Sequence, residues 1–144
     1  MLNLYNSLTK KIEEFKPIHK GVVGIYACGP TVYGFTHIGH GRKYVTDDIL
    51  RRTFEIIEEL KVTHVRNVTD VGHLTSDADE GEDKMEKGAL REGKTVWEVA
   101  EEYTEYFDKV MEELNTLPPT VVCKATEHVP EQIALIEKIL ANGY

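Results

Sequence analysis

The stretch GVVGIYACGPTVYGFTHIGHGR, residues 21–42, determines how the rest of the chain is interpreted. It opens with Val22–Ala27, a short apolar run rich in β-branched side chains, which is typical of a buried strand. The Cys-Gly-Pro sequence at 28–30 then indicates a turn. A helical pattern begins near Gly39, so the stretch predicts a strand, a loop and the first turn of a helix.

The residues that follow complete a βαβ unit. A helix is predicted over Gly39–Leu60, and a second β-branched run, Val62–Val68, predicts another strand. The apolar residues of this helix recur at helical spacing, at Val45, Ile49, Leu50, Phe54 and Ile57. Two strands joined by one helix are most simply parallel neighbours with a right-handed crossover. We therefore predict an α/β fold whose first loop opens at the carboxyl edge of a parallel sheet, where such sheets bind ligands.

Two further helices are predicted in the second half of the chain. Thr95 and Glu98 form the pattern of a capping box, and the helix that they start should end before Pro118. Its apolar stripe consists of Val96, Val99, Ala100, Tyr103, Phe107, Val110, Met111 and Leu114. The last helix should run over Pro130–Ala141, with the Asn-Gly pair at 142–143 as its C-terminal cap.

Shorter elements complete the prediction. We expect short strands at Leu2–Tyr5 and Thr120–Cys123, and a short helix at Lys84–Arg91. The segment Asp77–Glu86 holds six acidic residues and one lysine. We interpret it as a solvated segment, because its spacing does not fit an EF-hand loop.

The composition excludes several classes of protein. The 144 residues are 41% hydrophobic and 29% charged, which excludes a disordered tail, and no apolar run is long enough to span a bilayer. Cys28 and Cys123 form no CxxC pair, which favours a reducing compartment. The net charge of −8 argues against a broad basic surface for nucleic acid. We expect one cytoplasmic domain that is a monomer, with no signal peptide and no membrane partner.

His37 and His40 are candidate anion-binding residues. They lie three residues apart and would share the first turn of the helix, where free N–H groups and the helix dipole favour an anion. Gly39 between them would let a flat base approach the backbone. The alternative is a glycine-rich turn with two exposed histidines, because an HxxH pair is a weak signal and is not the HExxH zinc motif.

Cys28 is expected at the end of the first strand, facing the same crevice. A cysteine that only fills the core is the alternative, because buried cysteines usually act as small apolar residues. The chain shows no tight cluster of zinc ligands around it.

The motifs in this region resemble those of one enzyme family. The sequence HIGH at His37–His40 matches the signature of class I aminoacyl-tRNA synthetases, and CGPTVY at 28–33 matches the stretch that marks their cysteine-specific branch. LYNSLTKKIEEFKPI at 4–18 and VRNVTDVGH at 65–73 also fit. The whole chain resembles the amino-terminal catalytic segment of cysteinyl-tRNA synthetases, more weakly over 76–94.

The resemblance implies a Rossmann-type catalytic domain and assigns roles to several residues. The residues at ATP, which binds with Mg²⁺, would be Gly29, Pro30, Thr31, His37, Gly39 and His40. The two histidines would also be catalytic, because they stabilise the phosphates during attack by cysteine. Thr69 and Cys28 would bind the cysteine substrate, with Cys28 as one of four Zn²⁺ ligands. A zinc–thiolate bond can reject serine without an editing site.

The family's partners are ATP, L-cysteine and tRNA(Cys), but part of its machinery has no counterpart in the sequence. There is no KMSKS-like segment, and the family's other zinc ligands lie beyond this length. We therefore expect residues 1–144 to be the amino-terminal portion of the catalytic domain, truncated before the KMSKS-bearing half and the anticodon-binding domain. The isolated chain should be weakly active or inactive. The alternatives are a cysteine ligase that acts on an amino-sugar and a non-catalytic module derived from the same fold.

Overall fold

The computed structural model of the protein describes residues 2–71, 89–90 and 93–144. Its strands are β1 (Asn3–Asn6), β2 (Lys11–Glu14), β3 (Val22–Ala27), β4 (Lys61–Val68) and β5 (Val121–Lys124). Its helices are α1 (Ile38–Arg52), α2 (Val96–Glu113) and α3 (Val129–Ala141). A π-helical turn, Thr53–Ile57, continues α1, and a 3₁₀ turn, Ala125–His128, precedes α3.

The strands β3, β4 and β5 form one parallel sheet in that order. Val23 of β3 pairs with Val62 of β4, and Arg66 of β4 pairs with Val122 of β5. Parallel neighbours need a crossover, which α1 supplies between β3 and β4. The predicted α/β fold, a parallel sheet with flanking helices, is confirmed.

The core lies on one face of this sheet, where alternate residues of β4 point inward. The buried positions of the strand are Val62, His64, Arg66 and Val68. The predicted capping box of α2 is present, since Glu98 N–H donates to Thr95 Oγ1 and Thr95 N–H donates to Glu98 Oε2. The stripe of α2 buries Val99, Ala100, Tyr103, Phe107 and Met111 as predicted, whereas Leu114 is 43% exposed.

The first helix corrects two predictions. The predicted helix Gly39–Leu60 is α-helical only from Ile38 to Arg52 and then becomes the π turn. Ile49 and Ile57, both predicted for its apolar face, are 59% and 71% exposed. The wider π turn ends the 3.6-residue periodicity on which the prediction for Ile57 depended.

The inner face of α1 carries charged side chains instead. Asp48 and Arg51 have only 11% and 14% of their side chains exposed. Leu117 N–H donates to Asp48 Oδ1 at 2.8 Å, and Arg51 Nη1 donates to the Pro118 carbonyl at 2.6 Å. The helix therefore binds the loop between α2 and β5 through charges, which a search for apolar periodicity does not detect.

The amino-terminal strand is part of a hairpin. β1 appears close to the predicted Leu2–Tyr5 and pairs antiparallel with β2, which the sequence analysis did not predict. The predicted strand Thr120–Cys123 appears as β5, one residue later. The acidic segment Asp77–Glu86 lies outside the described residues, as does the predicted helix Lys84–Arg91 except for 89–90, which are helical.

Within the described part of the chain, no helix has the length and apolar character needed to cross a membrane.

Candidate active site at the carboxyl ends of β3 and β4

The turn that follows β3 lies against the residues that follow β4. Thr31 forms an isolated parallel bridge with Thr69. Thr69 N–H donates to the Pro30 carbonyl at 3.0 Å, and Val32 N–H donates to the Thr69 carbonyl at 3.3 Å. The pairing of the two strands therefore continues past their ends and fixes the glycine-rich turn to the sheet.

The peptide bond between Cys28 and Gly29 is held from both sides. Lys43 Nζ and the Tyr44 hydroxyl donate to the Cys28 carbonyl at 2.6 and 3.3 Å. Gly29 N–H donates to Asn67 Oδ1 at 2.7 Å. Burial raises the pKa of Tyr44 well above its usual value, so the hydroxyl stays a donor.

Cys28 combines this fixed backbone with an exposed thiol. The core-filling alternative for Cys28 is therefore wrong. A thiol that is accessible on a rigid turn has the placement that a metal ligand or a substrate-binding group needs.

Gly29 has no room for a side chain. A Cβ atom at this position would lie 1.4 Å from the Asn67 carbonyl oxygen and 2.5 Å from the carbonyl carbon. Both atoms belong to the backbone of β4, which cannot move aside without breaking the sheet. The glycine is required for close approach of two backbone segments.

His37 and His40 form the N-terminal cap of α1. Gly39 N–H donates to His37 Nδ1 at 3.1 Å, and His37 N–H donates to His40 Nδ1 at 3.3 Å. The two rings stack with centroids 4.0 Å apart. A Cβ at Gly39 would lie 2.9 Å from His37 Cε1, so this glycine makes room for the capping ring.

The capping hydrogen bonds fix the tautomer of both neutral rings. Each Nδ1 accepts a backbone N–H, so each neutral ring carries its hydrogen on Nε2, which can donate to a ligand. Burial, and then the neighbouring His37, hold the pKa of His40 below its usual value of 6.5. His40 is therefore a neutral donor at neutral pH.

A pocket of about 180 Å³ lies between the turn and α1. It is lined by Gly29, Pro30, Thr31, Tyr33, Gly34, Phe35 and His40. Four of the residues predicted to bind ATP therefore meet at one cavity. His37 lines a different, largely apolar pocket of about 460 Å³ between α1 and α2, while Cys28 and Thr69 line neither of these two.

The described residues do not form a complete zinc site. Within residues 2–71, 89–90 and 93–144, no group of three or more His, Cys, Asp or Glu side chains could hold a metal ion. Cys28 is thus a single candidate donor, and this part of the chain does not fit a complete tetrahedral zinc site. His73, whose imidazole could also ligate zinc, lies outside the described residues.

Sequence reasoning missed three residues that build the site. Lys43, Tyr44 and Asn67 contact the Cys28–Gly29 peptide through side chains from α1 and β4. No local pattern links residues 15 to 38 positions apart. An asparagine at the carboxyl end of a parallel strand, beside a glycine turn, was nevertheless a usable signal for Asn67.

The parallel sheet with flanking helices has the architecture of the catalytic domain of class I aminoacyl-tRNA synthetases. A family model described as the catalytic domain of class I (C) tRNA synthetases matches residues 14–144. The chain belongs to this family. The resemblance seen in the motifs is thereby confirmed.

Curated relatives carry a more particular name. A protein of Treponema denticola named cysteine–tRNA ligase is 55% identical over 143 residues, which are 99% of this chain and 29% of the relative. The cysteine–tRNA ligase 1 of Burkholderia lata is 53% identical, over 99% of this chain and 30% of the relative. The cysteine–tRNA ligase of Chlorobaculum tepidum is 49% identical, over 99% of this chain and 30% of the relative. The chain thus spans less than a third of the length of these relatives.

Proposed function

We propose that this chain forms the ATP side and part of the cysteine side of a cysteine–tRNA ligase. It would activate L-cysteine with ATP for transfer to tRNA(Cys). One observation carries the proposal: the stacked His37–His40 cap of α1 stands beside the glycine turn at 29–31. The names of the relatives support cysteine as the amino acid and disfavour the amino-sugar ligase.

The start of α1 offers the donors that a triphosphate needs. The first backbone N–H groups of the helix and its dipole favour negative charge. The Nε2–H groups of His40 and His37 add donors whose ring orientation is fixed by the capping hydrogen bonds. Donors that are positioned before the reaction stabilise charge that develops on the α-phosphate as cysteine attacks, and Mg²⁺ would enter with the nucleotide.

Cys28 and Thr69 are the proposed contacts to cysteine, with the exposed Cys28 thiol as the candidate zinc ligand. Because the described residues supply no further set of ligands, no step is derived through zinc. We expect the isolated chain not to retain stoichiometric zinc after dialysis against a mild chelator, as measured by atomic absorption. A cytoplasmic monomer is also part of the proposal, and the two free cysteines support the cytoplasmic location.

The proposal is tested in a chimera, in which this chain replaces the matching 143-residue stretch of the Treponema denticola ligase. Cysteine-dependent exchange of pyrophosphate into ATP should be retained. His40→Ala should lower kcat by about 100- to 1000-fold, because phosphate stabilisation belongs to the transition state. The KM for cysteine should change far less.

His19→Ala is the matched control, because His19 is exposed and lies outside the site. An inactive chimera would contradict the proposed function. Equal losses in kcat and in cysteine affinity for His40→Ala would contradict the role given to His40.

A further inference from the structure

The side chain of Asn67 contacts three segments of the candidate site. Its Oδ1 atom accepts hydrogen bonds from Gly29 N–H at 2.7 Å and from the Tyr26 hydroxyl at 3.0 Å. Its Nδ2 atom donates to Thr69 Oγ1 at 3.3 Å. One amide group therefore contacts the turn after β3, the edge of β3 and the residue that follows β4.

The orientation of the Asn67 amide is determined by its partners. Gly29 N–H is a donor only, so the atom that faces it must be the amide oxygen. The nitrogen then faces Thr69 Oγ1, which can only accept from it. The opposite orientation would place two donors against each other at 2.7 Å.

This orientation has a consequence for the Thr69 hydroxyl. Because Thr69 Oγ1 accepts from Asn67, the hydroxyl hydrogen cannot point at Asn67 and is available to another acceptor. An amino acid offers such acceptors in its carboxylate and its sulfur, whereas its ammonium group offers donors only.

We propose that Asn67 is a positioning residue for the amino-acid substrate: it fixes the Cys28–Gly29 peptide and turns the Thr69 hydroxyl into a donor toward that substrate. The inference rests on the proposed function for the identity of the ligand. Asn67 itself does not contact the reacting atoms. When the acceptor for Gly29 N–H is kept, Asn67 acts on the substrate only through Thr69. This effect must therefore disappear when the Thr69 hydroxyl is absent.

A double-mutant cycle in the chimera tests this dependence. Asn67→Asp keeps an acceptor for Gly29 N–H but makes Thr69 donate to the new carboxylate, so the KM for cysteine should rise about tenfold. Thr69→Val removes the hydroxyl with little change of shape and should raise the same KM about tenfold. The double variant should match either single variant to within about twofold. The KM for ATP and kcat should change little, which a general loss of structure would not allow.

Two further variants control for charge and for folding. Asn67→Ser removes the amide donor without adding charge, but its shorter side chain also loses the acceptor for Gly29 N–H, so the KM for cysteine should rise at least as much as in Asn67→Asp. Asn3→Asp introduces an equal charge on the exposed strand β1 and should leave the KM for cysteine unchanged. An unchanged KM for both Asn67 variants, or losses that multiply to about a hundredfold in the double variant, would overturn the proposal.

The positioning of the turn is measured separately on the isolated chain. Hydrogen exchange of the Gly29 amide should be slow in the parent and in Asn67→Asp, and fast in Asn67→Ala, because only the last lacks an acceptor. Equal exchange in Asn67→Ala and the parent would overturn the proposal. An inactive parent chimera with a protected Gly29 amide would instead contradict the proposed function, while the hold of Asn67 on the Gly29 amide would still be supported.

Discussion

The carboxyl edge of β3 and β4 and the helix α3 differ sharply in how the chain uses them. At the edge, Val32 and Val68 are 1% and 0% exposed, and side chains from α1 and β4 hold the backbone. No residue of α3 is buried, although the helix is well formed and rich in apolar side chains. The large apolar residues left open there are Val129, Ile133, Leu135, Ile136, Ile139 and Leu140.

The two regions differ in whether this chain supplies their packing partners. The candidate site obtains its partners from segments up to 41 residues apart, all of them described here. Most of the stability of a helix in a protein comes from the burial of its apolar face. Because α3 buries no residue in this structure, its apolar side chains contribute little to the free energy of unfolding. Substitutions in the two regions should therefore have very different effects on the free energy of unfolding.

Gly29→Ala should have the largest effect on stability. The new methyl group would lie within 1.4 Å of the Asn67 carbonyl oxygen, so the turn must separate from β4. We expect a loss of about 3 kcal/mol in the free energy of unfolding, measured by urea denaturation. Gly24→Ala in β3 is the control, since a Cβ there meets no atom within 4 Å. Equal effects of the two substitutions would show that the edge is not closely packed.

The stability of the site should depend on pH through His40. Its folded-state pKa lies below 6.5, so the folded protein binds fewer protons than the unfolded chain as the pH falls. Stability from this group is fully present above about pH 6.5 and is lost as the pH falls toward the lowered pKa. Thermal melts between pH 7.5 and 5 should show this loss. His40→Gln keeps an acceptor for the cap without titrating in this range and should reduce the slope.

Ile136→Ser in α3 should have the smallest effect. Ile136 is 55% exposed, and its substitution should change the free energy of unfolding of this chain by less than about 0.5 kcal/mol. Urea denaturation under the conditions used for Gly29→Ala makes the two directly comparable. A loss above about 2 kcal/mol would mean that α3 is packed in solution and that the contrast between the two regions is wrong.

The sequence predicted the elements that local patterns define. The strand Val22–Ala27 and the capping box at Thr95 and Glu98 appear as predicted, because each depends on residues close in the chain. The strand Lys11–Glu14 was missed, since three of its four residues are charged and it gains stability only from pairing with β1.

The candidate site was predictable in part for the same reason. His37, Gly39 and His40 form one local motif, and the structure places them at the start of α1 as the pattern indicated. The contacts of Lys43, Tyr44 and Asn67 to the turn depend on how α1 crosses the sheet, which no spacing in the sequence specifies. Asp48 and Arg51 show the same limit, because charged residues on an inner face break the apolar pattern.

The most direct test of the account is a titration of the isotopically labelled chain with ATP, followed by NMR. We predict that the largest shifts occur at the Gly29 and Gly39 amides and at the Nε2–H groups of His37 and His40. Signals of α3 should not move. The largest shifts in α3, or no shift at the two histidines at millimolar ATP, would contradict the assignment of this edge as the nucleotide site.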